Sequence, residues 1–129
     1  MDAAVLDKLK ISKQKKVLIL NAPKEFIDVI GSYKGTVESE IGGRYGFVMI
    51  FITARSELLE KEKILTDAVE GDGQLWVCFP KGSSKKRRDP ECGRDTLRKA
   101  VIGFEGIANI SLDDDWSALR LRRNEYIGK

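Results

Sequence analysis

Apolar residues in this chain occur as short unbroken runs set between stretches of helical spacing. Residues 17–20 (Val-Leu-Ile-Leu), 47–52 (Phe-Val-Met-Ile-Phe-Ile) and 75–79 (Leu-Trp-Val-Cys-Phe) are apolar at every position. Such runs are expected of strands covered on both faces. Between them lie helical patterns. Val5, Leu6, Leu9 and Ile11 suggest a short lead-in helix. Phe26, Ile27, Val29 and Ile30 follow Asn21-Ala22-Pro23 and end at Gly31, with Asn21 a natural N-cap. Thr53 is placed to cap a third helix whose apolar stripe is Leu58, Leu59, Ile64, Leu65 and Val69.

Residues 35–41 predict a weak strand, and Gly71-Asp72-Gly73 a turn into the run at 75–79. After a loop over residues 81–93, a helix over 95–101 and a strand over 108–112 are expected. Asp113-Asp114-Asp115 reads as a turn, and the alternation over 116–122 as an antiparallel last strand. This order of elements predicts one α/β unit over residues 1–129. It is a three-layer, Rossmann-like sandwich whose mostly parallel sheet ends in an antiparallel hairpin.

Such a sheet gathers the carboxyl ends of its parallel strands on one rim, where open α/β sheets take their ligands. Asn21, Thr53, Lys81, Arg94, Asp113 and Trp116 are all expected there. The segment Lys81-Gly82-Ser83-Ser84 is the strongest candidate. It follows a buried strand and offers backbone N–H groups, two hydroxyls and a cation, which is anion-binding chemistry. Each residue also has a plain structural role to set against this. Asn21 and Thr53 can cap helices, Asp113 can close a hairpin, Trp116 can pack, and the run Lys85-Lys86-Arg87-Arg88 can be a solvated face. Gly42-Gly43-Arg44-Tyr45-Gly46 precedes a strand instead of following one, so it reads as a loop and not as a dinucleotide fingerprint.

Composition narrows the chemistry. The 129 residues carry a formal net charge of +3, too little to imply nucleic-acid binding. There is no histidine, which removes a Ser-His-Asp triad and the commonest metal ligand. Of the two cysteines, Cys78 sits in an apolar run, whereas Cys92 falls in the long loop, where it could be exposed. Two cysteines make neither a disulfide framework nor a four-cysteine zinc site, and a reducing cytoplasm fits. No apolar stretch is long enough to span a membrane, and none resembles a signal peptide. The residues name no cofactor.

The segments VLILNAP (17–23), LWVCFPKGSS (75–84), Arg94-Asp95 and SLDDDWSALRL (111–121) resemble a bacterial family of short Rossmann-like proteins known as domain of unknown function 3052. That resemblance implies an α/β fold and a cytoplasmic protein and supplies no activity. The topology is also similar to a shortened class I methyltransferase. Those enzymes place a glycine-rich turn after the first strand, where the backbone approaches the adenosyl cofactor. Here that turn is Asn21-Ala22-Pro23, and an acidic ribose partner is unclear between Glu38 and Glu40.

Three readings follow. The first is a binding or regulatory module holding an anionic small molecule or an acidic or phosphorylated partner. The second is a divergent methyl- or group-transferase with Asp113 or Asp114 as base. The third is a protein-interaction domain using the basic loop and Trp116.

Overall fold

The computed structural model describes residues 1–128. Its six strands are β1 (Lys16–Leu20), β2 (Thr36–Glu38), β3 (Tyr45–Phe51), β4 (Val69–Pro80), β5 (Phe104–Ser111) and β6 (Trp116–Arg123). They form one sheet in the order β2-β1-β3-β4-β6-β5. The first four are mutually parallel, and β6 runs antiparallel to both β4 and β5. The expected α/β sheet with a terminal antiparallel hairpin is therefore present.

Helices cover both faces because the buried strands are apolar on both. Val17, Ile19, Phe47, Met49, Trp76 and Cys78 meet α1 (Val5–Leu9) and α2 (Lys24–Ile30). Leu18, Leu20, Val48, Ile50, Val77 and Phe79 meet α3 (Arg55–Ala68) and the short α4 (Arg94–Leu97). Met49 and Ile50, adjacent in β3, are both fully buried in opposite cores. Burial of each such side chain contributes about 1.5–3 kcal/mol. Among the described residues, no helix is long and apolar enough to cross a membrane.

Several boundaries differ from the sequence pattern. No turn separates α3 from β4: the strand begins at Val69. Tyr45 faces Val69 but Phe47 faces Gln74, so residues 70–73 bulge out of register. Two arginines of β6 hold this bulge. Arg122 donates Nε and Nη2 to the Asp72 carboxylate at 2.8 and 2.7 Å, and Arg123 donates to Gly71 O at 2.9 Å. Leu59 and Ile64 are exposed, so α3 buries a narrower face, carried by Leu58, Leu65 and Ala68. The helix expected over 95–101 shortens to α4, and β5 starts earlier, at Phe104.

Candidate functional site

The rim at the carboxyl ends of β1, β3 and β4 is shaped by the loop that leaves β4 at Pro80. Pro80 ends the ladder because it has no N–H to give. The chain then runs through residues 81–93 and is tied down along its length. At its start, Lys81 N donates to Asp115 O at 2.7 Å, fixing the loop to the β5–β6 turn. Ser84 is buried. Its Oγ donates to Asp115 Oδ1 at 2.7 Å and accepts from Lys86 N at 3.1 Å. Lys86 Nζ lies 3.8 Å from Glu25 Oε1 in the first turn of α2. Asp89 Oδ2 accepts the N–H of Arg55, the first residue of α3, at 2.8 Å, and its Oδ1 accepts Glu91 N at 2.9 Å. These two backbone donors, Arg55 first, hold the Asp89 carboxyl below its ordinary range. The loop is a strap from β4 to the starts of α2 and α3.

The start of α3 is satisfied by carboxylates. Glu57 accepts from Thr53 N, Thr53 Oγ1 and Ala54 N at 2.8–3.1 Å, while Asp89 takes Arg55 N. Thr53 thus gives its hydroxyl to Glu57 instead of capping the helix itself. Asn21 does not cap α2 either, because Pro23 holds the N-cap position. Asn21 is exposed with φ 58°, a left-handed conformation that asparagine tolerates better than most residues.

Trp116 is buried on the α2 face. Its ring meets Phe51 edge-on at 5.2 Å, and its Nε1 donates to Glu25 Oε1 at 3.0 Å. Asp113 Oδ1 accepts from Asp115 N and Trp116 N at 2.8 and 2.7 Å, which closes the hairpin turn. Cys92, a residue of the strap whose loop position could have left it exposed, is fully buried. Desolvation, reinforced by Asp89 and Glu57, pushes its thiol up to about 12. Its loop position left its burial open, and the strap decides it by folding back onto the α3–α4 core.

Lys81, Gly82 and Arg94 do come together. They line an open cleft of about 540 Å³ on the α4 side of the sheet, with Arg87, Asp95, Thr96, Asn109 and Ser117. Its floor carries Phe79 and Ser117, which face each other across β4 and β6. Ser83 is exposed outside this set. Arg87 is the residue that the charge run concealed. Its guanidinium lies between two glycines: a Cβ on Gly82 would stand 3.0 Å from Nη1, and one on Gly93 3.1 Å from Nη2. Arg87 Nη2 donates to Pro90 O at 2.8 Å, which steadies the group. Lys81 Nζ reaches Ser111 Oγ at 2.6 Å and keeps donors to spare. Arg94 pairs with the neighbouring Asp95 carboxylate at 3.3 Å. Three cations against one carboxylate leave the cleft an excess of two positive charges.

The residues fit an adenosyl cofactor poorly. The turn after β1 has no glycine, and the carboxylate at the end of β2 is committed elsewhere. Glu38 accepts the buried Tyr45 hydroxyl and lies 3.8 Å from Lys16 Nζ. That hydrogen bond is the first cause, with burial, of a raised Tyr45 phenol.

No family model and no curated protein matches the chain in sequence, so the likeness to domain of unknown function 3052 is not supported. Solved structures do match in fold. One is a fibrillarin pre-rRNA processing protein from Methanococcus jannaschii, with a TM-score of 0.54 at 10% identity over 88% of this chain and 68% of that one. A second is a putative type 11 methyltransferase from Sulfolobus solfataricus, with a TM-score of 0.53 at 12% identity over 98% and 81%. A third is a methyltransferase from Pyrococcus furiosus, with a TM-score of 0.51 at 12% identity over 93% and 70%. The chain is similar to methyltransferase-fold proteins, and at these identities the likeness is one of fold alone.

Proposed function

We propose that this protein is a methyltransferase-fold binding module that holds an anionic small molecule in the cleft of Lys81, Arg87 and Arg94. The observation that carries this reading is the Arg87 guanidinium, slotted between Gly82 and Gly93 beside two further cations. A planar guanidinium held in place suits a phosphate or carboxylate better than a free lysine does. Charge-assisted hydrogen bonds of this kind are worth about 1.5–3 kcal/mol each. Removing two cations therefore weakens binding by at least roughly a hundredfold.

The test is a calorimetric titration with inorganic phosphate of the native chain and of the Lys81→Ala, Arg87→Ala double variant. The expected result is saturable binding lost in the variant, with little change in melting temperature. A native chain that takes up no phosphate overturns the reading.

A group-transferase is the second reading, favoured by the methyltransferase-fold neighbours. Against it stand the turn after β1, the occupied Glu38 and the use of Asp113 Oδ1 by backbone N–H groups. Micromolar binding of adenosylmethionine would establish it over the first.

A further inference from the structure

The floor of the cleft differs in chemistry from its walls. The walls bring the cations: Lys81 and Arg87 from the strap, Arg94 from α4. The floor is the sheet itself and brings neutral hydrogen-bonding groups, Ser117 from β6 and Asn109 from β5. Ser117 is only 8% exposed, yet it lines the cleft, and among the described residues its hydroxyl makes no side-chain hydrogen bond. Its Oγ is not among the buried atoms that lack a partner, so it opens onto the cleft with its donor and acceptor capacity free for a ligand. Its neighbours in β6, Trp116 and Ala118, point into the other core, so strand alternation turns Ser117 alone toward the cleft. Asn109 is exposed on the same floor and offers both a donor and an acceptor. Thr96 is already spent, since its Oγ1 donates to Gly93 O at 3.0 Å.

We infer that the ligand of this cleft is a hydroxylated phosphate monoester, of the class of a sugar phosphate, with its phosphate on Arg87, Lys81 and Arg94 and its hydroxyls on Ser117 and Asn109. This rests on the anion-binding reading and adds the identity of the uncharged part. The charge agrees: a phosphate monoester carries about −1.5 to −2 at pH 7, against the cleft's excess of two positive charges. The space agrees as well, since about 540 Å³ lies within the range of small-ligand sites. An apolar anion such as a fatty acid is disfavoured, because it would leave Ser117 and Asn109 without partners.

The experiment compares ribose 5-phosphate, inorganic phosphate and ribose as calorimetric ligands of the native chain and of the Ser117→Ala and Asn109→Ala variants. Ribose 5-phosphate is expected to bind more tightly than inorganic phosphate, about ten- to a hundredfold if each floor group adds one ordinary hydrogen bond. Either variant should lose about three- to tenfold in ribose 5-phosphate affinity while inorganic phosphate affinity stays within about twofold. Asn109→Ala is at an exposed site and keeps the test open should Ser117→Ala fold poorly. If inorganic phosphate binds but ribose 5-phosphate gains nothing, or neither variant separates the two, this inference falls and anion binding stands. If no phosphate compound binds, both fall.

Discussion

The carboxylate of Asp89 accepts the backbone N–H of Arg55 at 2.8 Å, across 34 positions of sequence. One contact therefore closes the strap over the rim and completes the start of α3. A helix N-terminus at the ligand edge of an α/β sheet is elsewhere available to an anion. Here the strap's own carboxylate occupies the Arg55 N–H, and the cationic cleft opens on the α4 side instead.

This contact predicts a pH dependence. The folded chain holds Asp89 below its ordinary carboxyl range, through Arg55 N–H first and Glu91 N–H second. A depressed pKa gives stability that is present above the unfolded value, about 3.9, and lost as pH falls through the folded value. The Asp89→Ala variant should therefore unfold at lower urea than the native chain at pH 7. The gap should narrow as the pH is lowered from about 4 toward 2. Urea melts at stepped pH measure it, and a gap that stays constant from pH 6 to pH 2 would show that Asp89 does not act through its charge.

Adjacent serines of the strap should behave differently. Ser83 is exposed, and Ser83→Ala is expected to change stability by less than about 0.5 kcal/mol. Ser84 is buried and bonded to Asp115 and Lys86 N. Its loss leaves Asp115 Oδ1 without that donor, so Ser84→Ala should cost about 1–2 kcal/mol. Urea denaturation of both variants makes the comparison, and equal effects would mean the strap is not anchored at Ser84.

Both cysteines should be chemically silent in the native state. Cys78 and Cys92 are fully buried, and the Cys92 thiol is pushed up to about 12. At pH 8 roughly one part in ten thousand is thiolate, the reactive form. A thiol-specific disulfide reagent should label neither cysteine of the folded chain and both after unfolding. Rapid native labelling of Cys92 would mean that the strap opens readily.

The sequence alone was enough to determine the layered α/β fold, because its signals are local. Unbroken apolar runs such as residues 47–52 can be satisfied only by burial on both faces, and the intervening periodicity supplies the covering helices. It also placed Lys81 and Gly82 just past the carboxyl end of a buried strand, since Pro80 stops the ladder there. The same sequence signals did not separate Ser83 from Ser84, or pick Arg87 out of Lys85-Lys86-Arg87-Arg88. Those differences depend on which groups the strap meets when it folds back: Asp115, Glu25, the Arg55 N–H, and the gap between Gly82 and Gly93. Such contacts join positions far apart in the chain, and hydrogen-bond partners at that range leave no periodic trace. The sequence already offered a hairpin turn at Asp113 and packing at Trp116; tertiary structure chose those roles over ligand contact and set the Ser117 hydroxyl on the cleft floor. Each follows from the register of β4, β5 and β6, which sets the face each side chain takes.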